Sequence, residues 1–306
     1  MKIGWGGETN GMAKHEFGGD WTTDKLERLR KYLAAYMTIF TKNPKAAHFT
    51  TIYVDAFAGT GHRLDSTKRN VSDHILEGVE DQEAASFKKG SARIALEAEP
   101  AFRRFVFIER DATRVAELEA LRDRFPQKAN DVRIEQGDAN PFLKKWCADT
   151  DWKQHRAVVF LDPYGMQVEW ATLEAIAATR AIDLWLLFPL GVAVNRLLTR
   201  AGPPPAEWAD ALTRIFGTPD WKQAFYPKKR EETLFGTEET ERKKATLGAI
   251  GEFFVARLST IFAKVADNPL PLVNARNTPI YLLCFAAGNP RGAATAVRIA
   301  QDILKR

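Results

Sequence analysis

The chain has 306 residues, of which 45% are hydrophobic and 27% charged, a composition typical of globular proteins with a sizeable core. Its two cysteines, Cys147 and Cys284, are too few for a disulfide framework and too far apart for a metal knuckle, so we interpret both as structural. The net charge of +5 is compatible with an anionic partner such as nucleic acid, although ordinary surfaces also carry an excess of this size.

No segment predicts export or membrane insertion. The N-terminus lacks a basic stretch followed by an apolar core and a small-residue cleavage site. The longest apolar run, residues 182–194, is interrupted by Asp183, Pro189 and Gly191 and is too short to cross a bilayer. We therefore expect a cytoplasmic protein with no membrane partner and no metal site.

Residues 1–45 predict a loose leader followed by an amphipathic helix. The first 20 residues are rich in glycine and show no periodicity. Apolar residues then recur at helical spacing as far as Lys42, namely Leu26, Leu29, Leu33, Tyr36, Met37 and Phe40.

The first strand is predicted at residues 49–57, where β-branched and aromatic residues end abruptly in a glycine-rich turn. Polar and charged residues without a clear period occupy positions 62–90, which we interpret as an inserted loop. A helix is predicted to follow at residues 91–98.

Strands and helices alternate through the middle of the chain. Four further strands are predicted at 105–109, 132–136, 157–161 and 182–188, with helices at 112–125 and 170–178. This alternation is typical of parallel α/β sheets with right-handed crossovers. We therefore predict a Rossmann-like, doubly wound sheet in a single domain that spans residues 1–306.

The alternation stops near residue 200, where three consecutive prolines introduce basic clusters and helical patterns. We predict a helical substrate-recognition insert at residues 200–265, with helices at 207–216 and 239–265.

The C-terminal part predicts an antiparallel hairpin at residues 270–273 and 280–287, followed by a helix at 292–304. This hairpin should bring the sheet to seven strands.

An acidic residue at a strand end, followed by glycines, suits a ligand with an amino-acid or ribose end, because glycines let backbone amides approach it. The chain has this form in Asp55-Ala56-Phe57-Ala58-Gly59-Thr60-Gly61, and we predict ligand contacts from Asp55, Ala56, Phe57, Gly59 and Gly61. A charged loop follows instead of a helix, which disfavours the dinucleotide fingerprint. A tight turn without a ligand is the alternative.

Two more acidic residues end predicted strands. Glu109 closes the second strand, where a carboxylate can hold both hydroxyls of a ribose. Asp138 and Ala139 follow the third strand, where a carboxylate or a backbone amide can bond an adenine amine. The alternative is a pair of solvated carboxylates. Open α/β sheets bind ligands at this edge, so we expect these residues to share one cleft.

The fourth strand ends in Asp162-Pro163-Tyr164-Gly165, a motif suited to an amine. An aspartate and a backbone carbonyl that accept both hydrogens of an exocyclic base amine localise its lone pair on nitrogen. Tyr164 can stack on the base, so we assign catalysis to Asp162, Pro163 and Tyr164 and substrate contacts to Tyr164 and Gly165. A turn in which Asp162 acts only as a cap is the alternative.

Asn195 and Arg196 follow the fifth strand and are predicted to contact the substrate. Basic clusters at residues 228–230 and 242–244 could flank the same cleft and bind phosphates of RNA or DNA. Solvated helix faces are the alternative interpretation of each cluster.

Several of these segments resemble the three-Cys-motif partner (TcmP) family of methyltransferase-like proteins, encoded beside a radical-SAM-like protein with three cysteines. The resemblance rests on Lys25-Leu26, Tyr32-Leu33, residues 53–61, 90–96 and 107–109, Leu161-Asp162-Pro163-Tyr164-Gly165 and residues 281–285. It covers most of the chain in the right order. It implies the fold of class I methyltransferases, a cleft for S-adenosylmethionine, and a three-cysteine protein as a possible partner.

The fourth-strand motif also differs from a common pattern. Amino-methyltransferases of adenine and cytosine usually carry Asp-Pro-Pro-Tyr, whereas Asp162-Pro163-Tyr164-Gly165 is closer to the Asp-Pro-Phe-Gly of tRNA guanine dimethyltransferases. The resemblance therefore implies methyl transfer to an exocyclic amine of a nucleobase. Two other hypotheses stay open: a donor-binding subunit that docks the three-cysteine protein, and a methyltransferase for a small molecule.

Overall fold

The structure is a computed structural model that describes residues 20–56, 90–163, 165–233, 236–274 and 276–305. Over these ranges the chain forms an α/β fold around a mixed, mostly parallel central sheet. The α/β prediction is therefore confirmed. None of the helices within these ranges combines the length and the apolar character needed to cross a bilayer.

Five parallel strands form the core of the sheet in the order β3-β2-β1-β4-β5. Their bounds are Thr50–Ala56 (β1), Arg104–Glu109 (β2), Val132–Gln136 (β3), His155–Leu161 (β4) and Ile182–Phe188 (β5). Every residue of β5 is buried, as expected for a parallel strand that is covered on both faces.

A two-residue strand and a hairpin extend the sheet beyond β5. They follow a separate two-stranded ribbon, in which β6 (Lys228–Thr233) pairs with β7 (Gly236–Glu241). The strands that extend the main sheet are β8 (Lys264–Val265), β9 (Leu270–Val273) and β10 (Pro279–Ala287). Strand β10 runs antiparallel to β5, and β8 and β9 both pair with the far side of β10. The described sheet thus has eight strands rather than the predicted seven, because β8 adds a short edge strand.

Helices cover both faces of the sheet, as the doubly wound prediction requires. Helices α1 (Asp20–Lys42), α2 (residues 90–97), α3 (Ala112–Asp123) and α9 (Ala293–Leu304) pack on one face. Helices α4 (Ala139–Asp149), α5 (Trp170–Ala178), α6 (Ala206–Phe216), α7 (Trp221–Phe225) and α8 (Leu247–Leu258) pack on the other. Two separate hydrophobic layers result, with the sheet between them.

Helix α4 was missed by the sequence analysis, which assigned no helix after Asp138. The Asp138 carboxylate accepts a hydrogen bond of 2.8 Å from the Asn140 amide and so caps this helix. The side chains of Leu143 and Cys147 lie on its buried face.

The predicted long helix at residues 239–265 is wrong at both ends, since α8 covers Leu247–Leu258 and residues 264–265 form β8. Strand β7 occupies residues 236–241, and α8 begins only after Thr246, whose hydroxyl accepts from the Ala249 amide at 3.2 Å. Repeated threonines and a glycine in residues 233–240 disfavour a helix and favour the β-ribbon. The region 200–265 is therefore a mixture of helices and a two-stranded ribbon, not a helical insert.

Strand β5 leads through Pro189 into a π-helical segment, Leu190–Val194, and one α-helical turn, Asn195–Leu197. Gly191 of this segment packs directly against the backbone of β10. A Cβ atom at Gly191 would lie 2.2 Å from the carbonyl oxygen of Pro279.

We expect Gly191→Ala to lower the free energy of unfolding by about 2 kcal/mol or more, because a backbone atom cannot move aside as a flexible side chain can. Urea unfolding followed by circular dichroism measures the change. Gly248→Ala is the matched control, since the nearest atom to its Cβ is the Thr246 hydroxyl at 3.7 Å. Equal stabilities of the two variants would contradict the close contact at Gly191.

Candidate functional site

The carboxyl ends of the parallel strands meet at one edge of the sheet, and the predicted site residues follow those ends. The strand order reverses direction between β1 and β4, because β1 is followed along the chain by β2 on one side and neighbours β4 on the other. Open α/β sheets bind ligands at such a switch point. Asp55 and Asp162 lie there, Glu109 lies one strand away at the end of β2, and Asp138 follows β3.

Asp55 is buried, and its carboxylate is bonded within the protein. Its Oδ2 accepts a hydrogen bond of 2.6 Å from the Ser91 hydroxyl of α2 and one of 3.3 Å from the Tyr53 hydroxyl. Burial, followed by the charges of Asp55 and Asp162, raises the pKa of Tyr53 well above its usual value, so Tyr53 stays a donor. Asp55 therefore fixes the end of β1 against α2. Ser91 had no predicted role.

Glu109 is buried at the end of β2, and its Oε1 accepts a hydrogen bond of 2.7 Å from the Asp111 amide. The backbone carbonyl of Glu109 also accepts from the Gly137 amide at 2.9 Å. A Cβ atom at Gly137 would meet no atom within 4 Å, so there is open space beside this link between β2 and the end of β3. This hydrogen bond joins the end of β2 to the turn that precedes α4.

Asp138 is exposed and Ala139 is buried at the beginning of α4. The next residue, Asn140, is buried and connects this helix to the segment after Asp162. Its side-chain Nδ2 donates to the Gln167 backbone carbonyl at 2.9 Å. Its side-chain Oδ1 accepts from the Glu169 backbone amide at 3.1 Å and from the Thr172 hydroxyl at 2.8 Å. Asn140 therefore holds the ends of β3 and β4 in a fixed relation, a role that the sequence analysis did not find.

Asp162 is buried directly after β4, and its amide donates to the Ala56 carbonyl of β1 at 3.4 Å. Its Oδ2 lies 3.5 Å from the Nζ of Lys25, a buried ammonium on α1. Pro163 and Gly165 are buried too, and Gly165 has a φ of 65°, a conformation that favours glycine. The backbone therefore turns sharply just after Asp162, at the switch point between β1 and β4.

Four predicted site residues, Phe57, Gly59, Gly61 and Tyr164, lie outside the described residues. The same holds for most of the predicted loop at residues 62–90 and for the leader up to residue 19. Their assigned roles stay predictions.

The turn after β5 brings basic residues to the same edge of the sheet. Asn195 is partly buried, and its Oδ1 accepts from the Nζ of Lys243 at 2.5 Å, whereas Arg196 is exposed. The Lys243 amide donates to the Arg200 carbonyl at 3.3 Å. Burial, and next the charge of Arg200, lower the pKa of Lys243. Two cations held this close together favour an anion beside them.

The basic cluster at residues 228–230 lies on β6 rather than on a helix. Lys228 Nζ is 3.6 Å from the Glu241 carboxylate of β7, in an exposed pair that contributes little to stability.

Comparison with protein-family models and with curated proteins gives no match for this chain. Its chemistry therefore has to be argued from the residues. Within the described ranges, no group of three or more His, Cys, Asp or Glu side chains could hold a metal ion. Cys147 and Cys284 are buried free thiols, and burial raises the pKa of Cys147 to about 12, which leaves it unreactive.

The residues at this edge suit a ligand with a ribose, an amine and a charged amino-acid end. Carboxylates such as Glu109 and Asp138 accept hydrogen bonds from hydroxyl and amino groups. Asp162 places a third carboxylate on the other side of β1.

Proposed function

We propose that this protein is an S-adenosylmethionine-dependent methyltransferase that acts on an exocyclic amine of a nucleobase. The observation that carries the proposal is the buried Asp162 at the switch point between β1 and β4, with Glu109 and Asp138 at the ends of the next two strands. The proposal includes the fold: a class I methyltransferase sheet in which the antiparallel strand β10 and the hairpin partner β9 complete the parallel strands.

The donor cleft extends from β1 to the beginning of α4. Glu109 accepts from ribose hydroxyls, and Asp138 or the Ala139 amide bonds the adenine amine. Asp55 positions the end of β1, because its Oδ2 accepts hydrogen bonds from Ser91 and Tyr53, and its predicted contact with the donor is part of the same cleft. The predicted contacts of Ala56, Phe57, Gly59 and Gly61 complete the cleft.

Asp162 acts on the acceptor. When bound, S-adenosylmethionine supplies a methyl carbon that is already strongly electrophilic, so the acceptor nitrogen needs mainly a free lone pair in the right place. The Asp162 carboxylate accepts an N–H hydrogen of the amine, which localises the lone pair on nitrogen. The same carboxylate or water takes the proton that nitrogen loses, and Tyr164 stacks on the base.

Nucleic acid is the proposed carrier of the base. Asn195, Arg196 and Arg200 follow β5, which pairs with the strand that precedes Asp162, and Lys243 bonds Asn195, so phosphates on either side of a target base would bind here. The charge of the exposed Arg200 beside the partly buried Lys243 supports this placement, because a bound anion relieves their mutual repulsion.

We expect the purified chain to bind S-adenosylmethionine and S-adenosylhomocysteine with micromolar Kd, about −8 kcal/mol. Glu109→Gln should weaken both by about 10²-fold, because it removes charge-assisted hydrogen bonds to the ribose. Isothermal titration calorimetry measures both values.

Glu135→Gln is the matched control, since Glu135 lies on the neighbouring β3 and its carboxylate pairs with Arg133 at the protein surface. Undiminished affinity in Glu109→Gln would contradict the assignment of Glu109. Absence of binding by the unaltered chain would contradict the whole proposal and favour a subunit that docks a three-cysteine protein.

A further inference from the structure

Lys25 occupies a position on α1 where an apolar residue would be expected. The buried face of this helix continues from it through Leu29, Tyr32, Leu33 and Tyr36 at helical spacing. The Lys25 residue is only 3% exposed. A buried ammonium is costly unless an anion lies beside it, and Asp162 Oδ2 at 3.5 Å is that anion.

Helix α1 is anchored at several points, so Lys25 is held in a defined place. The Tyr32 hydroxyl donates to Asp183 of β5 at 2.8 Å, and the Arg28 guanidinium donates to the backbone carbonyls of Ile303 and Lys305. Leu26 packs so closely on Gly90 of α2 that a Cβ there would lie 2.7 Å from its Cδ1. The ammonium therefore reaches Asp162 from a rigid element and not from a loop.

The ion pair changes what the acceptor pocket accepts. An isolated buried carboxylate would attract any cation, including the protonated amine of a lysine side chain or a polyamine. With Lys25 in contact, the pair has no net charge, and a second cation at Asp162 would be repelled by the ammonium in a water-poor site. A neutral amine that donates one N–H to Asp162 meets no such repulsion.

We propose that Lys25 is a positioning and specificity residue, which orients the Asp162 carboxylate and makes the pocket select neutral aromatic amines over protonated alkylamines. The inference rests on the proposed function and narrows its substrate class. Amines conjugated to a ring, as on nucleobases, are neutral at pH 7, whereas alkylamines are protonated.

Two donor analogues test this selection without knowledge of the acceptor. S-adenosylhomocysteine has a neutral sulfur at the transfer position, and sinefungin carries a protonated amine there. We expect Lys25→Met to raise the affinity for sinefungin relative to S-adenosylhomocysteine by about tenfold, because it removes the repelling charge. Lys25→Arg keeps the positive charge and should therefore keep the ratio of the two affinities found in the unaltered chain. A purely steric role for Lys25 would not predict this. Calorimetric titration gives each ratio.

A second comparison covers the case in which Lys25→Met alone does not fold. The affinity for sinefungin relative to S-adenosylhomocysteine should be about tenfold higher in the double variant Lys25→Met/Asp162→Asn than in Asp162→Asn. An unchanged ratio in folded Lys25→Met, or in this second pair, overturns the inference while leaving donor binding intact. Failure of the unaltered chain to bind S-adenosylhomocysteine instead overturns the proposed function, and the inference with it.

Discussion

Asp162→Asn is expected to reduce methyl transfer by about 10²-fold or more while leaving unchanged the affinity for S-adenosylhomocysteine, the donor product that is neutral at the transfer position. The amide keeps the shape of the side chain but loses the negative charge that withdraws an N–H hydrogen and receives a proton. Transfer of tritium from the donor to tRNA, rRNA or DNA measures the rate, and calorimetry measures donor binding. A parallel loss of donor affinity would mean that Asp162 belongs to the donor cleft.

The effect of Asp162→Asn on the free energy of unfolding has to be measured separately from its effect on methyl transfer. Asp162→Asn removes a negative charge that faces the buried Lys25 ammonium, and breaking a buried pair in this way costs about 3–5 kcal/mol. The double variant Lys25→Met/Asp162→Asn removes both charges and should recover much of this stability. Its methyl transfer should stay low. Recovery of activity together with stability would contradict a chemical role for Asp162.

Raising the pH from about 4 to about 7 is expected to destabilise the protein through Asp183, a second buried carboxylate. Burial raises the pKa of Asp183 to about 7, although hydrogen bonds from Tyr32 and the Gly288 amide and the charge of Arg156 act in the opposite direction. The folded state therefore holds a proton on Asp183 that the unfolded state releases near pH 4. Stability falls as pH rises through this window and levels off above about 7, by a total of about 4 kcal/mol.

Asp183→Asn should remove this dependence while keeping an acceptor for the Tyr32 hydroxyl. The difference in free energy of unfolding between variant and parent should therefore grow from pH 5 to pH 8, as measured by urea titrations at each pH. Asp302→Asn serves as the control, because this carboxylate is exposed beside Lys305 and should give a constant difference over the same range. A constant difference for Asp183→Asn would refute the raised pKa.

Much of the sheet could be predicted because its strands are rich in apolar and β-branched residues and alternate with helices along the chain. Strands β3 and β5 and helix α5 have the predicted bounds. Helix α4 was missed because Asp138 was assigned to a ligand and its capping role was overlooked. The ribbon of β6 and β7 was missed because its charged residues were assigned to a helix, although threonine and glycine favour strands and turns there.

The candidate site could be predicted only where its residues follow strand ends. This position at a strand end made it possible to predict Asp55, Glu109, Asp138 and Asp162 from the sequence. Lys25 does not, because a charged residue on an amphipathic helix normally faces water, and only packing against Asp162 reveals its burial. Asn140 was missed for a similar reason, since its partners Gln167 and Glu169 come from a segment far along the chain.

The anchoring of α1 has a consequence for biosynthesis. This helix is synthesised long before Ile303 and Lys305, whose backbone carbonyls accept hydrogen bonds from its Arg28. Contacts of such high sequence separation form late and cannot stabilise a partly synthesised chain. Lys25 is therefore held securely beside Asp162 only after residues 303–305 have left the ribosome, so this ion pair depends on a segment far along the chain from both of its members.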